Sequence, residues 1–414
     1  MRFEILRDPL WNNIRVDETT LELVDTDVFQ RLRYIRQLGW TYLVYPGATH
    51  SRFEHALGTY HLARRTLSML RERDDAPLDE AELAIVRAAA LLHDVGHYPF
   101  SHALEEIGVL DHEQVAKPLI TEGPVAAILR SCLGAEAPEE IYALITGASH
   151  DSLQGLISGS PDLDKIEYLK RDALMCGVPY GEIDVDRLIN SMLLVTDPTS
   201  GRKALGVQEK ALPALESLLF AKYQMYRNVY WHHAVRSATA MYKRLVEDAL
   251  AAKTLDGSAL AGFTDEGLLH KLEAAGPNAL LAALKSRHLF KRAAELPAAA
   301  LDQDIADWIS AGRVNVRTAE DALASELKLQ PGSVLIDFPE KTQMLGLDIP
   351  VCRRGGKVER LTGAGWTGTI NLPKLSEELY NSARWFRIFS AERAPLTTER
   401  ALKVLRAAMK RAGS

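Results

Sequence analysis

Apolar residues recur at three- and four-residue spacing over most of the first 250 positions, the pattern of helices that bury one face. From Asp25 to Leu38, Phe29, Leu32, Tyr34 and Ile35 follow that spacing, and Asp25 is placed to cap the helix. A second helix is expected over 55–70, with Leu62, Thr66, Leu67 and Leu70 on one side. A third is expected over 79–93, where Leu83, Val86, Ala90 and His93 share a stripe until Gly96 and Pro99 interrupt it. Ser101 then caps a following helix, and 112–121, 138–147, 162–174, 184–194 and 208–252 read as helices too. The Ala- and Leu-rich stretch 258–312 keeps the helical period. Near Gln330 the pattern changes: VLIDF at 334–338 and WFRIF at 385–389 read as strands, and Gly355-Gly356 can turn a hairpin. A lysine- and arginine-rich helix is expected at 397–411. The expected fold is mainly α, with a helical domain at 1–250, a helical extension at 251–330 and a small α+β domain at 331–414.

A chain of 414 residues, 47% hydrophobic and 25% charged, has ample material for such a core. The net charge of -6 argues against a general nucleic-acid coat, so no nucleic-acid partner is required. Cys132, Cys176 and Cys352 lie far apart, which suggests neither a disulfide framework nor a cysteine metal site. MRFEILRDPL carries no apolar signal region, and AAALL at 88–92 is far too short to span a bilayer. The expectation is a cytoplasmic protein with no membrane partner.

The window 50–172 carries the chemistry. It holds HSRFEHALG, LLHDVGHYPFSHALEE, DHE at 111–113 and DLDKIEYLKRD at 162–172, and seven of the twelve histidines fall between His50 and His112. Neighbours on a helix point about 100° apart, so His93 and Asp94 can share one ion only at a helix end. Gly96 and Pro99 supply that end. His55 and Asp164 are the best further ligands, since each sits in a dense polar motif on a mostly apolar helix. A lone His-Asp pair is usually structural; the four-part constellation is what points to a divalent ion, with Mn, Mg, Fe, Ni and Zn all compatible. Arg52, three residues before His55, is suited to bidentate phosphate binding. The pair His112 and Glu113 suits general acid chemistry, because a carboxylate orients an imidazole and raises its pKa.

Together these motifs strongly resemble the HD-domain superfamily, and within it the deoxynucleoside triphosphate triphosphohydrolases. The resemblance covers roughly 5–240 and is densest from Asp25 to Asp172, with FQRLRYIRQLGWTYLVYPGATHSRFEHALG matching along its length. It implies an HD-type helical bundle whose metal core lies at about 50–172, with His55, His93, Asp94 and Asp164 as ligands. His112 would protonate the leaving sugar oxygen or activate the nucleophile, His97 and His102 would contact phosphates, and Glu105 would support them. Arg52, Lys165, Tyr168, Asp172 and Lys222 would hold phosphate or sugar. Gln37 and Leu38 would press against the sugar and favour deoxy substrates, at a helix C-terminus capped by Gly39. MYRNVYWHHAV at 225–235 resembles the segment that closes over the triphosphate, with His232-His233 serving either packing or chemistry.

Asp25, Gln30 and Arg33 match positions that read a regulatory guanine nucleotide in some family members. Glu4 falls where that site carries a lysine, a charge reversal that Arg2 or Arg7 would have to offset. The resemblance also implies a homo-oligomer, with the C-terminal part as an interface. The leading expectation is hydrolysis of a dNTP to deoxynucleoside and inorganic triphosphate. Two alternatives stay open: a nucleotidase or cyclic-nucleotide phosphodiesterase, and a non-catalytic nucleotide-binding regulator.

Overall fold

The computed structural model describes residues 3–73, 78–339, 346–362, 364–366, 369–394 and 396–412. It is mainly helical, with short sheets inserted among the helices. Helix Arg52–Glu72 starts at a capping box in which the Ser51 N–H donates to Glu54 at 2.6 Å, and it buries Phe53, Ala56, Tyr60, Ala63 and Leu67. Helix Glu80–Leu92 opens on the Asp79/Glu82 capping box and ends at His93, as the Gly96-Pro99 break predicts. Helices His112–Thr121, Ala137–Ile145 and Leu163–Cys176 fall within two residues of their expected ranges. Their apolar faces close on one large core with the first two.

The strands are β1 (Glu4–Asp8), β2 (Asn12–Val16), β3 (Met192–Thr196), β4 (Lys203–Gln208), β5 (Lys291–Pro297), β6 (Val334–Asp337), β7 (Pro350–Cys352), β8 (Val358–Arg360) and β9 (Trp385–Ser390). β1 and β2 form a hairpin, and β3-β4-β7-β8 form one sheet. The turn at Gly355-Gly356 does join antiparallel β7 and β8. In the third sheet β9 lies between β5 and β6, antiparallel to both. Helices Gln303–Ser310, Arg313–Glu326 and Thr398–Ala412 cover that sheet.

Five local expectations are corrected. The 25–38 segment is not one helix: Thr26, not Asp25, caps Asp27–Gln30, and a 3₁₀ turn follows at Arg31–Tyr34. The chain then turns extended, because Arg52 N–H bonds Ile35 and Gln37 N–H bonds His50, both across the chain. Ser101 caps no α-helix; it begins a 3₁₀ turn, Ser101–Ala103. Helix Val185–Ile189 is short because Met192–Thr196 is drawn into β3. In 258–312, residues Lys291–Pro297 form β5 despite their helix-favouring alanines, since β9 offers a paired edge. The expected 208–252 helix is also interrupted, by a π-turn at Tyr226–Tyr230 between Leu212–Met225 and His233–Ala251.

Two buried charged clusters join the C-terminal elements to the rest. Arg236 bonds Asp337 on β6 and Glu106 near the His97–Glu105 loop, the latter at 2.9 and 3.1 Å. Glu320 accepts from Ile336 N–H at 2.9 Å and from Arg244 at 3.3 Å. Burial lifts Glu320 to about 7 against the pull of Arg313 and Arg244. A carboxyl raised on folding stabilises the protein below its unfolded pKa and loses that contribution as pH climbs through the folded one. Wild-type stability relative to Glu320→Gln should therefore fall between pH 4.5 and 8, by up to about 3 kcal/mol. Parallel urea titrations of the two proteins across that range check this; a constant difference would contradict it.

Candidate metal centre

His93 ends its helix, so His93 and Asp94 leave the helix axis and face the Arg52–Glu72 and Leu163–Cys176 helices. His55 Nε2 lies 3.2 Å from His93 Nε2, 3.0 Å from Asp164 Oδ1 and 3.6 Å from Asp94 Oδ2. His93 Nε2 is 3.4 Å from Asp94 Oδ1 and 3.6 Å from Asp164 Oδ1. An ion bound at roughly 2.1 Å sets neighbouring donor atoms roughly 3.0–3.4 Å apart; His55, His93 and Asp164 are gathered closely enough to share one, and Asp94, whose Oδ2 meets Arg52 and whose Oδ1 meets His97, lies beside them. The other ring nitrogens are already engaged. His55 Nδ1 meets Glu167 Oε2 at 2.6 Å, and His93 Nδ1 meets the Ala90 carbonyl at 3.0 Å. With Nδ1–H donating, each Nε2 lone pair points at the shared centre, the usual outer support of a histidine ligand.

The electrostatics agree with a cation here. Burial opposes charge on His55, yet hydrogen bonds to Asp164 and Glu167 outweigh it and lift the imidazole to about 10. Asp94 is buried and Asp164 partly so; Arg52 holds the first, and His55 and His93 hold the second, well below the usual carboxylate range.

A second cluster sits beside the first. Glu105 joins His112 Nδ1 at 2.8 Å and His102 Nδ1 at 3.0 Å. The sequence pairs His112 with Glu113; the structure makes Glu105 its hydrogen-bond partner. Despite burial, those two histidines hold Glu105 well below the ordinary range, while burial and His112 pull Glu113 in opposite directions, burial prevailing upward. His97 stacks on His112 with centroids 3.9 Å apart, and its Nε2 meets Asp94 at 3.0 Å. Burial, with Arg52 nearby, keeps His97 neutral. The approach depends on Gly96: a Cβ there would meet the His112 carbonyl at 2.0 Å.

Both clusters open into a cleft of about 1190 Å³, which Gln37, Leu38, Arg52, Lys165, Tyr168, Asp172, Lys222 and Glu113 also line. Gln37 Oε1 is buried without a partner among the described residues. Arg52 is less available than expected: Nη1 donates to Asp94 at 2.6 Å and Nε to Ser101 Oγ at 2.9 Å. Lys165 pairs with Asp162, and Asp172 is bonded by His50 at 2.8 Å and Tyr230 at 2.6 Å. Phe100 and Ser101, between His97 and His102, both take left-handed φ values of 59° and 62°. Each costs about 1–2 kcal/mol for a residue other than glycine. Gly39 is no helix cap; it takes φ +50° where a Cβ would lie 2.9 Å from the Phe100 carbonyl.

Other expected residues lie elsewhere. Asp25, Gln30 and Arg33 do not line the cleft; Arg33 donates to Gln30 at 2.7 Å and stacks on Phe53 at 3.5 Å. Glu4 and Arg7 belong to β1, and Arg2 is outside the described residues. His232 caps the His233–Ala251 helix by accepting from Ala234 N–H at 3.3 Å. Glu167 went unnoticed in the sequence. Its signal was its place three residues after Asp164, on the same face, with Arg171 four further on.

A helical bundle that gathers histidines and carboxylates able to hold a metal at a His-Asp helix end is the arrangement of an HD domain. The family model for the HD domain matches residues 52–147, and that for the HD-associated region matches 183–364. The chain belongs to the HD-domain superfamily and resembles its deoxynucleoside triphosphate triphosphohydrolases. It is 37% identical over 289 residues to an uncharacterized protein of Methanocaldococcus jannaschii, covering 70% of this chain and 59% of that one. It is 27% identical over 308 residues to the deoxynucleoside triphosphate triphosphohydrolase SAMHD1 of Danio rerio, covering 66% and 49%. The chain thus spans about half to three-fifths of the length of these curated relatives. A solved structure of a hypothetical protein from Aquifex aeolicus is 27% identical, with TM-score 0.71 over 99% of this chain and 100% of that one. Among the described residues, no helix is long and apolar enough to cross a membrane.

Proposed function

We propose that the protein hydrolyses deoxynucleoside triphosphates to deoxynucleoside and inorganic triphosphate. The observation that carries this reading is the confluence, in one cleft, of the four-donor centre, the Glu105-linked histidines and the Gln37–Leu38 pair. The name of the Danio rerio relative supports the same reading. The cleft exceeds the roughly 300–1,000 Å³ usual for small ligands, which suits a nucleotide with a long phosphate tail.

His55, His93, Asp94 and Asp164 would hold a divalent ion. Bound there, such an ion supplies Lewis-acid polarisation and lowers the pKa of water. Water adds to the α-phosphorus, the bond to the sugar 5′-oxygen breaks, and that oxygen takes a proton. His112 is the proton donor: Glu105 occupies Nδ1 and leaves Nε2 for the leaving oxygen. Arg52 Nη2, Lys165, Lys222 and His102 balance the phosphate charge. Leu38 offers no partner to a 2′-hydroxyl, while the unpaired Gln37 Oε1 can accept from a sugar hydroxyl.

The test is incubation with each dNTP and NTP, singly and mixed, with ion-exchange separation of products. Mixtures matter because Asp25, Gln30 and Arg33, all outside the cleft, are the residues that would read a second, regulatory nucleotide. Deoxynucleoside plus triphosphate is expected, with ribonucleotides slower by about 10–100-fold. Release of only monophosphate or orthophosphate would overturn the assignment and favour a nucleotidase. Faster turnover of cyclic nucleotides would favour a phosphodiesterase.

A further inference from the structure

The left-handed pair Phe100–Ser101 has to be held in place by something outside its own segment. The holder is Asp265, at the start of helix Asp265–Ala274, 165 residues away and 1% exposed. Its Oδ1 accepts from Phe100 N–H at 2.7 Å. Its Oδ2 accepts from Arg36 N–H at 3.0 Å and from Arg36 Nη1 at 3.2 Å. One buried carboxylate thus fastens both loops that reach the centre: 36–39, which carries Gln37 and Leu38, and 97–102, which carries His97 and His102. The loops are cross-linked again where Ser101 Oγ donates to the Arg36 carbonyl at 2.7 Å and receives Arg52 Nε. Trp40 stacks on Phe100 with centroids 4.1 Å apart, and both pack with Leu268, Leu269 and Leu272 of the Asp265 helix. The carboxylate also satisfies backbone N–H groups that would otherwise be buried unpaired.

From this geometry we infer that Asp265 is a positioning residue of the site, setting the sugar-facing and phosphate-facing loops in register with the metal ligands. It touches neither ligand nor substrate, and its kinetic meaning rests on the hydrolytic reading above. An ångström of misplacement in such loops lowers turnover by about 10²-fold while substrate still binds.

The full chain and its Asp265→Ala, Asp265→Glu and Glu266→Ala variants are compared at a temperature where all are folded by circular dichroism. Glu266→Ala removes only the exposed partner of Arg36, at 3.2 Å, and should leave every readout at wild type. Hydrogen exchange read by mass spectrometry needs no substrate. Asp265→Ala should speed exchange in peptides spanning 36–40 and 97–104, with the 52–72 helix unchanged and bound manganese per chain retained. On whichever nucleotide the wild type hydrolyses, kcat should fall about 10²-fold with KM changed less than threefold, and Asp265→Glu should restore part of the loss. Wild-type exchange in both loops, or faster exchange with unchanged kcat, would overturn the inference. If the wild type hydrolyses no dNTP, the functional reading fails on its own, and the exchange arm still decides whether Asp265 holds the loops.

Discussion

His93→Ala should lose its bound divalent ion and at least about 10³-fold in kcat, because the polarisation lost is worth several kcal/mol and each tenfold is about 1.4 kcal/mol. The fold should survive, since His93 gives up only its ring contact to the Ala90 carbonyl outside the centre. Asp94→Ala should lose activity equally and also unfold more easily. Asp94 is the carboxylate beside the buried Arg52, which is 2% exposed, and removing one member of a buried pair costs about 3–5 kcal/mol. Elemental analysis of the purified variants, turnover assays and thermal melts separate these effects. A His93→Ala protein that hydrolyses nucleotide at the wild-type rate would end the metal assignment. Equal melting of the two variants would show that Arg52 does not depend on Asp94.

Glu167→Ala is the second large effect, and it should appear in stability and metal affinity together. Glu167 is fully buried and accepts from His55 Nδ1 at 2.6 Å, Arg171 Nε at 2.7 Å and Trp11 Nε1 at 2.9 Å. Its loss leaves the buried Arg171 with Asp8 alone, 2.9 Å away, so a cost of about 3–5 kcal/mol is expected. It also frees the His55 ring to rotate or change tautomer, for which about 10–100-fold weaker metal binding is expected. Glu167→Gln keeps an acceptor for Arg171 but can present N–H to His55, so it should recover stability more than affinity. Denaturant titration beside metal titration of the apo-protein measures both. Unchanged metal affinity in both variants would show that the Glu167 contact does not orient His55.

The sequence made most of the helices and the gathering of histidines and aspartates legible for a physical reason. Apolar stripes at three and four residues announce a buried face, and HD can chelate only where Gly96 and Pro99 stop a helix. What stayed hidden is what tertiary pairing decides. The alanines of Lys291–Pro297 favour a helix locally, yet β9 recruits them as a strand. Phe29 and Leu32 carry helical spacing, but hydrogen bonds between Ile35 and Arg52 and between Gln37 and His50 end the helix early. Within the site, Glu113 is the carboxylate adjacent to His112 in sequence, whereas Glu105 is adjacent in space. Asp265 lies 165 residues from Phe100 and belongs to no motif, so nothing in its neighbourhood along the chain marks it.

The order of strands in the last sheet bears on how the protein is born. β9 is the central strand, and β5 and β6 pair with it rather than with each other. Ile336 on β6, with Phe338 just beyond it, walls the cleft. On a ribosome, His55, His93, Asp94 and Asp164 have all emerged long before residue 390, but neither edge strand has a template until then. Strand pairing across that much chain is slow to close. A nascent polypeptide therefore carries those four side chains without a finished cleft, and the wall that Ile336 supplies closes only once β9 pairs with strands made before it.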